Sequence, residues 1–155
     1  LFFFGFVFQT TLVPSITIMG IIPDILIVVL FMFARKTGVL PAVFVGFFLG
    51  LAQDIYAPSI LGQNALAKTI SGFIAGLFNE KVMRLDPILE FIIVILVFLI
   101  NDAVFTTVSI VKSSGTFQVF GRSILTFTIP RAFYSLLFAV IPIFWEHYFK
   151  TTVNR

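Results

Sequence analysis

The sequence contains no cysteine and only one histidine, His147. The absence of cysteine excludes disulfides, thiolate metal sites and thiol nucleophiles. Charge is also scarce, since charged residues form 11% of the chain, whereas an ordinary soluble domain has roughly 25%. In their place the chain is 59% hydrophobic and carries 22 phenylalanines. This composition excludes a water-soluble globule.

Basic residues are few and scattered. The ten lysines and arginines give a net charge of only +3 and form no cluster along the chain. Nucleic-acid binding normally needs a clustered basic face. The composition therefore argues against a nucleic-acid partner.

Apolar segments bounded by proline, glycine and charge predict an all-α membrane bundle in a single domain covering residues 1–155. At about 20 residues per crossing, the chain can supply about six transmembrane helices and no soluble domain. Five crossings remain an alternative if the first segment does not span. A further alternative is one helix from Ile16 to Ala34, kinked at Pro23. The predicted spans lie near residues 1–20, 22–34, 38–53, 64–78, 88–111 and 122–148.

The placement of lysine and arginine predicts the orientation, because short cytoplasmic loops retain positive charge. Two basic residues, Lys112 and Arg122, fall on one side of the membrane. We therefore expect the opposite side, which holds the C-terminus, to be cytoplasmic. The basic residues on that side are Arg35, Lys36, Lys81, Arg84, Lys150 and Arg155.

Two rows of small residues lie in neighbouring predicted spans. Gly46 and Gly50 form a G-x-x-x-G pair in the third span, and Gly72 and Gly76 form another in the fourth. Such pairs allow two helices to approach closely. The rows suit binding of a partner's transmembrane helix, or packing of the bundle itself.

Polar residues extend both glycine rows toward the loop between the two spans. Asp54 ends the third span, and Asn64 and Lys68 open the fourth. We expect Asp54 and Lys68 to lie at similar depth on the external side and to form an ion pair. Two interpretations are open: a structural pair that holds the hairpin together, or a polar outward-facing pocket or partner contact.

A second group of polar residues lies near the middle of the last two predicted spans. Asn101 and Asp102 belong to the fifth span, and Pro130 and Arg131 to the sixth. An unpaired charge at a helix centre costs about 2.5–3.5 kcal/mol, so we expect Asp102 and Arg131 to pair. The pair fits a buried structural role and a functional role about equally well.

The sequence offers no catalytic constellation. His147 lies at the end of the last span, away from any serine that it could activate. Asp54 and Asp102 have expected basic partners, and no cluster of Cys and His is present to bind a metal. We therefore expect no enzymatic activity, no metal and no cofactor.

The ordered motifs in the first half of the chain resemble the rod shape-determining protein MreD family. The resemblance is carried by Pro23 and Asp24 before an aliphatic run, and then by Gly46, Gly50, Asp54, Gly62, Asn64, Ala65 and Gly72. These motifs are confined to residues 23–76, while the rest of the chain matches in length and in number of spans. These nine residues match the family pattern, and we group them as candidate partner-binding or family-motif positions.

The resemblance implies a small multi-pass protein of the bacterial cytoplasmic membrane that serves cell shape and peptidoglycan synthesis. It implies a non-catalytic adaptor of the cell-elongation machinery that works with MreC, MreB, RodA and the elongation-specific transpeptidase, among membrane lipids. The family is similar in fold to the substrate-binding subunits of energy-coupling factor transporters. That similarity supplies the alternative function, which is capture of a vitamin in an external pocket near Asp54, Asn64 and Lys68.

Overall fold

The computed structural model describes residues 2–11, 23–56, 61–80, 83 and 86–113, together with positions 130, 135, 137, 139 and 140. Five helices are defined in these ranges, and the ranges contain no strand. The helices are α1 (Phe2–Thr11), α2 (Ile25–Thr37), α3 (Val39–Tyr56), α4 (Gln63–Leu77) and α5 (Pro87–Ser113).

Helix α2 begins and ends at sequence signals for a helix boundary. Pro23 and Asp24 are not helical, so the alternative of one kinked helix through Pro23 is wrong. A proline in that position would lack the N–H that a helix interior needs. At the other end Gly38 alone separates α2 from α3, with a φ of 90° that favours glycine. The helix therefore extends through Arg35 and Lys36, which the sequence reading assigned to a loop.

The third, fourth and fifth predicted spans correspond to α3, α4 and α5. Helix α3 runs to Tyr56, three residues past the expected end, and α5 begins at Pro87, directly after Asp86. By length and composition, α3 and the Ile88–Lys112 part of α5 are apolar enough to cross a membrane. The predicted sixth span, 122–148, lies outside the described residues except at the five positions given above.

Helix α2 occupies the centre of the described bundle. It contacts α1, α3, α4 and α5, and α4 packs against both α3 and α5. The hydrophobic core is built largely on α2 and continues on α5. Its α2 members are Leu26, Ile27, Val28, Leu30, Phe31 and Ala34.

The described bundle buries several charged side chains and exposes many large apolar ones. Charged side chains such as Asp24, Arg35 and Lys68 are buried, while large apolar ones such as Phe44 and Phe48 are exposed. Water penalises an extensive apolar exterior, whereas lipid penalises exposed charge. This arrangement is typical of a helical bundle surrounded by lipid.

Candidate functional site

Helices α3 and α4 form an antiparallel hairpin with direct contact between backbones. A Cβ atom at Gly46 would lie 2.4 Å from the Lys68 carbonyl oxygen, and one at Gly50 would lie 2.3 Å from the Asn64 carbonyl oxygen. A Cβ at Gly72 would similarly lie 2.5 Å from the carbonyl oxygen of Ala42. The glycine rows are therefore occupied within the bundle. Of the two interpretations of these rows, the contacts favour packing of the bundle itself.

The carboxylate of Asp54 closes this hairpin by capping the start of α4. Oδ2 accepts hydrogen bonds from the backbone N–H groups of Gly62 (2.9 Å) and Ala65 (3.0 Å). Oδ1 accepts from the backbone N–H and the side-chain amide of Asn64, each at 2.9 Å. The first N–H groups of a helix have no partner within the helix and carry its positive dipole end. The buried carboxylate is therefore satisfied here by four N–H groups at the start of α4.

Gly62 makes the capping geometry accessible. It precedes α4 in the left-handed conformation, with a φ of 94°. Residues other than glycine rarely adopt that conformation. The turn directs the Gly62 N–H toward Asp54, which explains why this part of the chain combines a glycine with the aspartate and Asn64.

Lys68 pairs with Asp24, so the predicted Asp54–Lys68 ion pair is wrong. The Lys68 ammonium lies 2.7 Å from Asp24 Oδ2, and both side chains are almost completely buried. The physical reason is that the N–H groups at the start of α4 take up the Asp54 carboxylate. Lys68 lies one turn further along α4 than Asn64 and faces α2. There it meets Asp24, the residue that directly precedes α2.

The non-helical backbone at Asp24 is held by hydrogen bonds from several parts of the fold. The Gln9 side chain of α1 donates to the Pro23 carbonyl oxygen and accepts from the Ile25 N–H, each at 2.9 Å. The Asp24 N–H donates to the Ser135 hydroxyl at 3.0 Å. Non-helical backbone at membrane depth requires such internal partners. Asp24 occupies the N-cap position of α2, but its side chain makes no capping hydrogen bond.

We expect the Asp24–Lys68 pair to show strong mutual dependence. Lys68→Met or Asp24→Asn alone removes one partner of a buried ion pair, which costs about 3–5 kcal/mol. The double variant Asp24→Asn with Lys68→Met should lose much less than the sum of the two. Circular dichroism during unfolding in mixed micelles with increasing dodecyl sulfate measures the three values. Additive losses would contradict direct coupling.

A second buried ionic group lies at the opposite end of α2. The Arg35 guanidinium contacts Glu80 Oε1 at 2.7 Å and Glu90 Oε1 at 2.5 Å. The Glu80 N–H also donates to the Arg35 carbonyl oxygen at 3.0 Å. These bonds join α2 to the residues after α4 and to the first turn of α5. The sequence did not predict this group, because Arg35 follows an apolar run as loop cations do and no local signal connects it to Glu80 or Glu90.

Neutral polar residues join α4 to α5. The Gln63 side chain donates to the Phe105 carbonyl oxygen at 2.7 Å and also to the Ser109 hydroxyl.

Within α5, Asn101 donates to Asp102 at 3.3 Å, and both residues are buried. Asp102 has further interactions, but Arg131 lies outside the described residues, so the predicted Asp102–Arg131 pair stays a prediction.

The motif residues named from the sequence fall into contacts inside the bundle. Pro23 and Asp24 form the non-helical segment before α2, and the glycines of α3 and α4 form the hairpin interface. A last group of four residues forms the cap of α4. That last group is Asp54, Gly62, Asn64 and Ala65. Within the described part of the chain, no group of three His, Cys, Asp or Glu side chains could hold a metal ion.

Comparison with known families places the chain. The family model for the rod shape-determining protein MreD matches residues 1–151 of the 155-residue chain. No curated protein and no solved structure matches. The family match covers nearly the whole sequence and includes every motif residue described above. The chain therefore belongs to the MreD family of rod shape-determining proteins.

Proposed function

We propose that this chain is a non-catalytic adaptor of the cell-elongation machinery in the bacterial cytoplasmic membrane. It binds MreC through an outward helix surface and, through the complex, works with MreB, RodA and the elongation-specific transpeptidase. Membership of a rod shape-determining family supports the process. The single structural observation that supports an adaptor is that, in the described residues, buried charged side chains contact one another or the backbone while large apolar side chains are exposed.

The outward row of α3 is the surface that we assign to the MreC transmembrane helix. Only 28% of the α3 span is buried, against 39% of the α5 span. The row is formed by Leu40, Phe44, Phe48 and Ile55, with exposed fractions of 70%, 56%, 63% and 72%. Aromatic side chains provide large, rigid contact areas, and they are enriched where partners bind.

The proposed orientation places the C-terminus in the cytoplasm. The Arg35–Glu80 contact brings the α2–α3 turn and the start of the α4–α5 connection to the same end of the bundle. Arg35 and Lys36 therefore lie at the end of the bundle from which the α4–α5 connection starts. Retention of positive charge in cytoplasmic loops makes that end cytoplasmic.

The vitamin-binding alternative loses its expected site. It required Asp54, Asn64 and Lys68 to line an external pocket with free polar groups. Asp54 and Asn64 bond to each other at the start of α4, and Lys68 bonds to Asp24. A substrate would have to displace these internal bonds.

Co-purification in mild detergent tests the adaptor proposal. Phe44→Ala with Phe48→Ala removes the aromatic part of the α3 row and should lower MreC recovery about tenfold, equivalent to about 1.4 kcal/mol of binding free energy. The matched control is Ile92→Ala with Leu96→Ala, which removes exposed apolar side chains from α5. The control should retain MreC at the wild-type level, and both variants should insert normally.

Equal MreC recovery with the two double variants would contradict the choice of the α3 row. Recovery of an energy-coupling ATPase in place of MreC would contradict the adaptor function itself and favour the transporter alternative.

A further inference from the structure

Three buried polar groups between α2, α4 and α5 have unused hydrogen-bonding capacity. Within the described residues, the Ser71 hydroxyl and the Asn101 Oδ1 atom have no hydrogen-bond partner. Lys68 has three N–H donors, and Asp24 is the single acceptor that it contacts among the described residues. Ser71 and Lys68 are 0% exposed, and Asn101 is 3% exposed.

The helix register brings these groups to similar depth. Gln63 of α4 lies beside Phe105 and Ser109 of α5. The two helices are antiparallel. A residue about one and a half turns after Gln63 on α4 therefore lies level with a residue about one and a half turns before the Phe105–Ser109 pair on α5. Lys68 and Ser71 therefore lie near the level of Asn101.

Helix periodicity also predicts that the same three residues face the groove expected where α2, α4 and α5 meet. Lys68 and Ser71 are three positions apart on α4 and so share one face of that helix. Lys68 on this face reaches Asp24, which immediately precedes α2. Asn101 continues the buried row of α5 that includes Val94, Val97 and Phe98. Because α2 contacts both α4 and α5, these faces meet between the three helices.

From this arrangement we infer that the groove between α2, α4 and α5 holds an internal water site formed by Lys68, Ser71 and Asn101. Lys68 donates one N–H bond to the water oxygen. The water donates to Asn101 Oδ1 and exchanges a hydrogen bond with the Ser71 hydroxyl. Donors and acceptors balance in this arrangement, and a buried water typically has two to four such partners.

The site explains how the bundle accommodates a fully buried ammonium group. A single hydrogen bond to Asp24 leaves two charged N–H donors in a low-dielectric interior, which is unfavourable. Water in this site satisfies one of these donors and hydrates the ion pair. The ligand class is neutral and small, since the ion pair already balances the Lys68 charge.

Water-edited solid-state NMR of the labelled full chain in liposomes tests the site directly. Magnetisation from water should reach the Ser71 Cβ several-fold faster than it reaches the methyl group of Ala75. Ala75 lies one turn further along α4, is equally buried and has no polar side chain, so it is the matched control. Equal and slow transfer at both positions would overturn the proposal.

Removal of the Ser71 hydroxyl provides a second readout. If water bonds to Ser71, the Ser71→Ala variant should raise the unfolded-to-folded ratio about fivefold, the effect expected for loss of one hydrogen bond. If the hydroxyl is unsatisfied, its removal should leave the ratio unchanged or lower it, and that result would overturn the site.

Discussion

Asp54→Ala is expected to destabilise the bundle by about 3–5 kcal/mol, because each buried donor left without an acceptor costs about 1–3 kcal/mol. The carboxylate accepts four N–H bonds from Gly62, Asn64 and Ala65. In the variant we expect water to reach only the N–H group of Gly62, which is part-buried. Asp54→Asn keeps one acceptor oxygen and should lose less. Unfolding in mixed micelles, followed by circular dichroism, measures both effects.

Asn64→Ala is the control for this cap. It removes one of the four bonds, from the Asn64 amide to Asp54 Oδ1, but leaves the three backbone bonds intact. We expect a loss of about 1 kcal/mol. If Asn64→Ala and Asp54→Ala are equally destabilising, the carboxylate does not act as a helix cap.

Gly50→Ala should separate α3 from α4 and prevent normal folding of the hairpin. The added Cβ would lie 2.3 Å from the Asn64 carbonyl oxygen and 2.5 Å from the Ala65 Cα atom. Both are backbone atoms, so the helices themselves must move, and we expect a cost at or above the 1–3 kcal/mol typical of overpacking. Folded protein recovered after detergent extraction should fall sharply.

Gly5→Ala is the matched substitution at a glycine that has space. Its Cβ would meet Val29 and Leu26 side chains at 3.5 and 3.8 Å, which are ordinary contacts. Recovery and stability should equal those of the parent chain. Normal recovery of Gly50→Ala, with loss of MreC binding alone, would show that the glycine row faces a partner and not α4.

The hairpin and its cap could be predicted in part because they depend on residues close in sequence. G-x-x-x-G rows indicate close helix approach, and Asp54 and Asn64 flank a short connection. The same local reasoning led to the wrong partner for Lys68. Whether a lysine pairs with Asp24 or Asp54 depends on how α2 docks against the hairpin, and that information is spread over the whole core.

The remaining polar contacts gave even less local signal. Gln9 and Gln63 are neutral residues within apolar helices, and nothing in their sequence neighbourhood indicates the backbone atoms that they bind. Arg35 follows an apolar run, as loop cations commonly do, yet it is buried against Glu90 from α5. The contacts of all three side chains depend on how distant segments of the chain pack together.

The position of the glycine rows inside the bundle bears on where a partner is expected. The polar and small residues of the motif contact one another inside the bundle, and the outward α3 row is the surface that we propose for a partner. Single changes in the motif should therefore act through folding, while changes in the α3 row should act through binding with the fold intact.

In-cell photocrosslinking tests the adaptor function most directly. A photoreactive benzoylphenylalanine in place of Phe48 should crosslink to MreC after irradiation, whereas the same residue in place of Ile92 on α5 should give no MreC adduct. Both positions are exposed and apolar, so the comparison separates specific contact from proximity within the membrane. An MreC adduct from Phe48 alone is the predicted result. No MreC adduct from Phe48, in cells where the protein sustains rod shape, would contradict the assignment of this surface to MreC.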